Sequence, residues 1–410
     1  MSLNNIPTEI VSCKIYKNGV LKCEINPIVI TELNIYHSLN FPCIQGDITI
    51  QDYDGIQNEY EIFAGDEIVI SIKVGNSVKD FKYVIYSLKD VIVREYESFY
   101  MLTLNFCSKW IIDALVRQFS YPFNDKRIDE IVEFLLIQCN GDIGEIEQSK
   151  IKFNNFVTPK WNIIKIIRYL QEFCMSSDDK AGYILYTDED DKIHFKSLKK
   201  IREEAILCDN DLYINVENVV YEGRVHQYTI ENSFDLIKFL NQGCFHTVVF
   251  DYDYDKQKVV LKDFKYNEIE RLNLGSHIPI NNKYLDDKYT HFKHVPYYLK
   301  SDEMQKEDKI SQFLEGYLKN HYTMLLSDII KVDVLANFSL ERKIGNLIRV
   351  HIPNIAKSKQ QNILIDDTIF SGIYMIQSCR WIFTQHNALQ VLTLISDGYK
   401  EGYSDALTWF

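Results

Sequence analysis

Four clusters in this chain bring together residue types that do chemistry. Asp251-Tyr252-Asp253-Tyr254-Asp255 sets three carboxylates on one face of an extended segment, oxygen ligands of the kind Ca²⁺ takes. It lacks the glycine and the terminal glutamate of an EF-hand loop, so a solvated strand end is the preferred reading. His291 and His294 stand three apart, a spacing that brings two imidazoles together on a helix. Their neighbours Tyr289-Thr290 and Val295-Pro296 disfavour helix, and no Glu or Cys adjoins them. Glu145 and Glu147 would pose as paired catalytic carboxylates, but an acidic chain offers many such pairs. Asp188-Glu189-Asp190-Asp191 reads as a solvated acidic turn. GxSxG, P-loop, HExxH and GxGxxG motifs are all missing from the sequence. The residues thus argue for no catalytic, cofactor or metal site, and the expectation is a protein that is not an enzyme.

The nine cysteines stand at 13, 23, 43, 107, 139, 174, 208, 244 and 379, without a CxxC pair. Most have apolar neighbours, which predicts reduced, buried thiols in a protein assembled in the cytoplasm. A net charge of −13 excludes ordinary electrostatic binding of nucleic acid, which needs clustered Lys and Arg. It would suit a conduit that nucleic acid passes without sticking. The opening MSLNNIPTEI has no basic stretch followed by an apolar run, so no signal peptide is expected. No apolar run approaches the roughly 18 residues of a membrane span, and a soluble protein made in the cytosol is expected.

The elements that would position any site are mostly strands. Val11–Tyr16 and Leu21–Ile25 flank Lys17-Asn18-Gly19, a tight-turn signal. Ile28–His37, Ile44–Tyr53, Glu67–Val74, Phe81–Leu88, a possible Val91–Glu95 and Tyr100–Phe106 follow, which suggests a barrel or sandwich over 1–107. At Ser108, a good N-cap, the periodicity turns helical through Phe119. A second helix is expected over about Asp125–Cys139, stopped by Gly141. A third is expected from Thr158 as cap and Pro159 at the first helical position. Tyr183–Tyr186 and Lys192–Lys196 form a hairpin around the acidic turn. Residues 108–205 thus read as an α+β insert. Strands Tyr213–Val216 and Val219–Tyr228 open a second barrel over 206–235 that resumes at 325–397. Residues 236–324 are a second insert, with a helix near Ser233–Leu240, strands His246–Tyr252 and Lys258–Phe264, an irregular stretch 267–300 and an amphipathic helix over about Glu303–His321. Residues 398–410 form a tail whose Leu407-Thr408-Trp409-Phe410 would dock.

The chain repeats itself. Gly65-Asp66 opens a strand, Val84-Ile85-Tyr86-Ser87 follows, then Leu102-Thr103-Leu104. Gly345-Asn346 opens a strand, Met375-Ile376-Gln377-Ser378 follows, then Leu392-Thr393-Leu394, with Gln385-His386-Asn387 as the turn. Upstream, Ile48-Thr49-Ile50 and Val332-Asp333-Val334 would match. Order and spacing agree as well as composition, which predicts one small antiparallel barrel present twice. If such a chain forms a trimer, six similar barrels surround one axis.

Three stretches resemble the central baseplate hub of contractile-tailed phages, related to the hub portion of VgrG spikes. The first runs from Pro159-Lys160-Trp161-Asn162 through Tyr183-Ile184-Leu185-Tyr186 to His194-Phe195-Lys196-Ser197-Leu198. The second is Ile344-Gly345-Asn346-Leu347-Ile348. The third runs from Ser371-Gly372-Ile373-Tyr374-Met375-Ile376 to Leu392-Thr393-Leu394-Ile395-Ser396-Asp397-Gly398. The resemblance spans about 155–398. It implies an α+β, mainly β fold: two tail-tube-like antiparallel β-barrels with two inserted α+β domains. It implies a homotrimeric, non-catalytic structural adaptor between the hexameric tail tube and the trimeric central spike, forming part of the genome-delivery channel. The implied partners are the chain itself, tail tube protein, central spike protein, baseplate wedge and tape-measure proteins, and the implied place is the virion baseplate. Unlike VgrG, the sequence carries no OB-fold or β-helix repeats after residue 398, which points to a separate spike polypeptide. Alternatives are the hub of a non-phage contractile injection system, or a tail-associated hydrolase or carbohydrate-binding protein.

Overall fold

In the computed structural model, Asn18 and Gly19 both take the left-handed backbone that a two-residue hairpin needs (φ 51° and 79°). They join β1 (Thr8–Lys17) to β2 (Val20–Ile25). The structure describes residues 8–400 except 54, 94–99, 215–222, 233, 254–256, 270, 282–283, 285–289, 295–306, 355, 359–364 and 386. The expected terminal docking of Leu407–Phe410, the ends of the expected strands Val91–Glu95 and Tyr213–Val216, the start of a strand at Val219, Tyr254 and Asp255, the start of a helix at Glu303, and His386 lie outside the described residues.

The first module continues with β3 (Ile30–Ser38), β4 (Gln45–Asp52), a one-turn α1 (Ile56–Glu59), β5 (Glu67–Val74), β6 (Ser77–Val93) and β7 (Tyr100–Cys107). β5 alternates half-exposed and buried positions, with Ile68, Ile70 and Ile72 inside, as its period-2 pattern dictates. The expected Phe81–Leu88 and the described part of Val91–Glu95, residues 91–93, lie in one strand, β6, bent by irregular pairing at Ile85/Ser87 and Lys89/Ile92.

The first insert holds α2 (Lys109–Val116), β8 (Gln118–Phe119), β9 (Pro122–Arg127), α3 (Ile128–Gln138), β10 (Ile143–Ile146), β11 (Lys152–Val157), β12 (Trp161–Asn162), α4 (Ile163–Gln171), β13 (Tyr183–Thr187), β14 (Ile193–Ser197) and α5 (Leu198–Glu204). Four sequence expectations shift here. α3 starts at Ile128, not near Asp125, because Lys126 and Arg127 pair with Phe153 and Lys152. Gln118-Phe119 leave the helix because they pair with Trp161-Asn162. α3 ends in a Schellman motif with Asn140, not Gly141, left-handed (φ 56°): Gly141 N–H donates to Leu136 O and Asn140 N–H to Ile137 O. α4 begins four residues after the expected Pro159. Thr158 spends its hydroxyl on the Tyr121 N–H (2.8 Å), and Asn162 Oδ1 caps the helix through the Lys165 N–H (2.8 Å). The apolar stripe of α4 buries Ile163, Ile164, Ile166, Ile167 and Leu170, each worth about 1.5–3 kcal/mol of burial.

Then come β15 (Leu212–Tyr213), β16 (Val225–Asn232), α6 (Leu236–Asn241), β17 (His246–Asp253), β18 (Lys258–Lys265), β19 (His291–His294), α7 (Glu307–Leu326), β20 (Ile330–Asn337), β21 (Leu347–His351), β22 (Gly372–Thr384) and β23 (Ala388–Ser396). β17, β18 and β19 make a separate three-stranded sheet. α7 runs to Leu326, past the expected His321.

The class is the expected one, mainly β with a large antiparallel sheet and fewer helices. Both modules belong to one 13-stranded sheet, in the order β16-β20-β23-β22-β3-β4-β7-β6-β5-β1-β2 with β21 and β15 branching from β22. One hydrophobic cluster runs through both modules and the second insert and takes in Ile184, Tyr186, Leu198 and Ile201 of the first; another is built mostly from the first insert.

The two modules match strand for strand: β3-β4-β7-β6-β5 corresponds to β16-β20-β23-β22-β21. Gly65 N–H donates to Ile85 O (2.7 Å) and Gly345 N–H to Ile376 O (2.8 Å), both glycines having positive φ (102° and 84°). Bulges follow at Ile85/Ser87 and Ile376/Ser378. Ile85 faces Phe106 as Ile376 faces Leu394, Asn105 faces Asp47 as Thr393 faces Asp333, and Asp47 faces Asn34 as Asp333 faces Thr229. Further bulges match at Ile30/Glu32 and Val225/Gln227. The hydrogen-bond register also corrects the sequence alignment. Leu392-Thr393-Leu394 corresponds to Leu104-Asn105-Phe106, not Leu102-Thr103-Leu104, and Val332-Asp333-Val334 to Gly46-Asp47-Ile48, not Ile48-Thr49-Ile50. A slip of two leaves every side chain on the same face, so alternation alone does not reveal it.

Candidate functional site

Two of the residue clusters that suggested chemistry, Glu145/Glu147 and the acidic turn, hold parts of the fold together. Glu145 binds Lys196 and Lys200, and Glu147 accepts a hydrogen bond from the Ser197 N–H (2.6 Å). Burial works against ionised Glu145, but the two lysines outweigh it and hold the carboxyl below its ordinary range. His291–His294 is a strand, where a spacing of three does not keep two positions on one face. Asp251 and Asp253 lie in β17. Among the described residues no group of three or more His, Cys, Asp or Glu could hold a metal ion. All nine cysteines are free and buried, and burial pushes Cys107 to about 11.

The acidic turn between β13 and β14 is not simply solvated. Asp188 takes the Asp190 and Lys192 N–H groups and sits 3.0 Å from His194 Nε2. Glu189 accepts from the Ile344 N–H of the second module (3.2 Å), and Asp191 from the Ser108 hydroxyl after the first (2.6 Å). Lys79 of β6 binds Asp190, and Thr187 donates to Pro42 O (2.5 Å). Ser108 is thus the positional N-cap of α2, but its hydroxyl is spent on Asp191 and not on the helix. The turn rivets the first insert to both modules.

Burial raises Asp191 to about 6. A folded-state value above the ordinary 3.8 means stability is lost as pH rises from about 4 through 6. His37 has the opposite slope. Burial, with Lys79 nearby, lowers it to about 3, so its contribution is complete above 6.5 and fades as pH falls toward 3. Asp191→Asn keeps an acceptor for Ser108 and removes the first slope. It is expected to stabilise the protein by about 1–2 kcal/mol at pH 7, after discounting for partial exposure, and to leave stability near pH 4 unchanged. Urea unfolding at pH 4 and pH 7 tests this, and an equal shift at both values would refute it.

The site with the largest consequences is the seam between modules. β22 continues past Ser378 to Thr384 and pairs along β3, from Ser378↔Ser38 to Thr384↔Glu32. One face of the seam is core. Trp381 packs on His37 (centroids 4.5 Å), Phe338 (5.5 Å) and Phe81 (6.0 Å). The other face is a polar network. Arg380 Nε donates to Asn34 Oδ1 (3.0 Å) and Nη2 to Glu32 Oε1 (3.2 Å), with the guanidinium over the Tyr36 ring. Asn34 donates to Asp47 (2.8 Å), as does the Tyr36 hydroxyl (2.9 Å). Past the expected Met375-Ile376-Gln377-Ser378, Arg380-Trp381-Ile382-Phe383 continues the alternation. The seam makes one module the docking surface of the next.

No protein-family model and no characterised protein matches the chain by sequence. By structure the chain is similar to the 43 kDa tail protein of prophage MuSo2 from Shewanella oneidensis. The identity is 12%, 96% of this chain and 100% of that one are covered, and the TM-score is 0.58. It is also similar to the tail protein from Neisseria meningitidis MC58, at 9% identity over 94% and 96% of the two chains, with a TM-score of 0.55. A Francisella PdpA–VgrG complex, in its lidded form, matches at 12% identity over 98% of this chain and 55% of that one, with a TM-score of 0.50. The resemblance to tail hub proteins read from the sequence therefore holds at the level of the fold.

Proposed function

We propose that the protein is a structural hub of a contractile tail, a homotrimer in which six barrel modules surround one channel. The observation that carries this reading is the pair of matching five-strand modules in one chain, on a fold shared with tail proteins. Three chains with two modules each offer six similar positions to a hexameric tube and three identical ones to a trimeric spike. The division into 1–107 and 206–235 plus 325–397 as modules, with 108–205 and 236–324 as inserts and 398–410 as a tail, is the building plan we propose for this role. The adaptor needs no catalysis and no cofactor. Its partners are the tail tube, the central spike, wedge and tape-measure proteins, and its place is the virion baseplate, after assembly in the host cytoplasm. The net charge of −13 supports passage of a phosphate backbone without adhesion. Among the described residues no helix is long and apolar enough to cross a membrane.

Light scattering on the purified chain tests the proposal. The expected mass is three times the 48.3 kDa of one chain, and images are expected to show a ring with six similar lobes and a central pore. A chain that stays monomeric alone and with tube and spike proteins, or a ring without a pore, refutes it.

A further inference from the structure

The internal seam is half of a pattern whose other half is open. β3 pairs on one side with β4 and on the other with β22. Its counterpart β16 pairs with β20 on one side and ends the sheet. At its start, Arg224 bridges Tyr213 of β15, but among the described residues no strand lies along Val225–Asn232 on the outer side. β22 and its counterpart β6 differ in the same way. β6 pairs with β7 over Val84–Val93 and with β5 over Ser77–Val84. Beyond Ser87 its second edge faces no strand among the described residues. Each chain therefore carries one filled seam and the two separate halves of another.

We infer that β6 of one copy pairs antiparallel with β16 of the next, repeating between chains the seam that β22 and β3 make within one. The register follows from the matched strands. Arg380 opposes Tyr36 in the internal seam. Lys89 holds the place of Arg380, since Ser87 corresponds to Ser378, and Glu231 holds the place of Tyr36, since Thr229 corresponds to Asn34. Lys89 thus opposes Glu231. Beyond Lys89, β6 carries one extra residue against β7, because Lys89 faces Thr103 and Ile92 faces Met101. Past that bulge, Ile92 opposes Thr229 and Val93 opposes Tyr228.

The chemistry agrees with the register. Lys89 and Glu231 are exposed in the single chain. Their pairing puts a cation opposite an anion at the centre of the seam, where the internal copy has Arg380 against Glu32, Asn34 and Tyr36. An unpaired strand edge is a template for another chain, and this one is complementary to an edge on the same molecule. The contact is heterologous, so copies either close into a ring or extend as a filament. Closure at three rests on the trimer proposed above.

Cysteine pairs test the register and the ring separately. With the nine native thiols buried, Lys89→Cys together with Glu231→Cys is expected to give disulfide-linked dimers and trimers, and nothing larger, on non-reducing gels. Each single variant is expected to stay uncrosslinked. The shifted pair Lys89→Cys with Thr229→Cys is expected to link at least about tenfold less, because neighbours two apart lie beyond disulfide reach. As a second route, Glu231→Lys is expected to raise the concentration for half-assembly about tenfold, and Lys89→Glu in the same chain to restore it. A light-scattering trimer without the 89–231 link, or with equal linkage in the shifted pair, overturns the strand pairing and spares the trimer. Links that run on past three support the pairing and overturn the trimer. A wild-type chain that stays monomeric and a pair that never links overturn both.

Discussion

Asp397→Ala is expected to destabilise the protein by about 3–5 kcal/mol, the cost of breaking a buried charged cluster. The Asp397 side chain is 2% exposed. Its carboxylate accepts from three successive backbone N–H groups, Asn273 (2.9 Å), Leu274 (2.8 Å) and Gly275 (2.8 Å). Arg271 Nε lies 3.3 Å from Oδ2, an ion pair more than an aligned hydrogen bond, while Nη2 donates to the Asp397 carbonyl (2.8 Å). Alanine would leave three N–H groups and a guanidinium short of their acceptor inside the protein. The site is also crowded. A Cβ on Gly275 would come within 2.3 Å of the Gly398 backbone, so the two segments touch main chain to main chain. The loss should therefore free the 271–277 loop from the end of β23. Urea unfolding measures the size, and amide exchange at Asn273–Gly275 measures the place. Asp397→Asn, which keeps one acceptor, should fall between. A loss below about 1 kcal/mol would show that water replaces the carboxylate.

Asn320→Leu should cost about 4 kcal/mol, with the same number of side-chain heavy atoms and no change of charge. Asn320 is 5% exposed on α7. Its Oδ1 accepts from the Gly182 (2.7 Å) and Tyr183 (3.0 Å) N–H groups at the start of β13. Its Nδ2 donates to the carbonyls of Cys174 (2.5 Å), Gly316 (2.8 Å) and Glu172 (3.3 Å). One amide thus satisfies backbone groups of both inserts at once. Each buried group left unpaired costs about 1–3 kcal/mol, and the Leu burial returns only part of it. α7 has no slack there, since a Cβ on Gly316 would stand 2.4 Å from the Phe173 carbonyl. Asn320→Asp keeps the acceptor and loses the donor, so the two variants separate the halves of the clamp. Thermal unfolding of all three chains gives the comparison. Equal midpoints for wild type and Asn320→Leu would mean that the clamp is replaced by solvent.

Local signals carried much of the fold. The Asn18-Gly19 turn, the alternation of β5, the glycine starts at 65 and 345 and the order of the repeated strands all follow from backbone preference and period, which a few neighbouring residues encode. The candidate site was less visible. Arg380 reads as an ordinary polar position until β22 lies against β3, some 346 residues away in sequence. The acidic turn reads as solvent-facing until Ser108, Lys79 and Ile344 converge on it. Asp397, next to last in the third resembling stretch, has no reason in the sequence. Its reason is the row of N–H groups at 273–275.

The sequence by itself determined most of the long strands of the two modules, which face of each is apolar, and that a strand pattern occurs twice, because these depend on residues close together in the chain. Only the tertiary structure decided the register between modules, the start of α4 and the seam that leaves β6 and β16 each with an open edge. A slip of two residues keeps every side chain on its face, so hydrophobic pattern cannot choose between registers. Bulges at matched positions and hydrogen bonds between distant strands make that choice, and they exist only once the chain has folded.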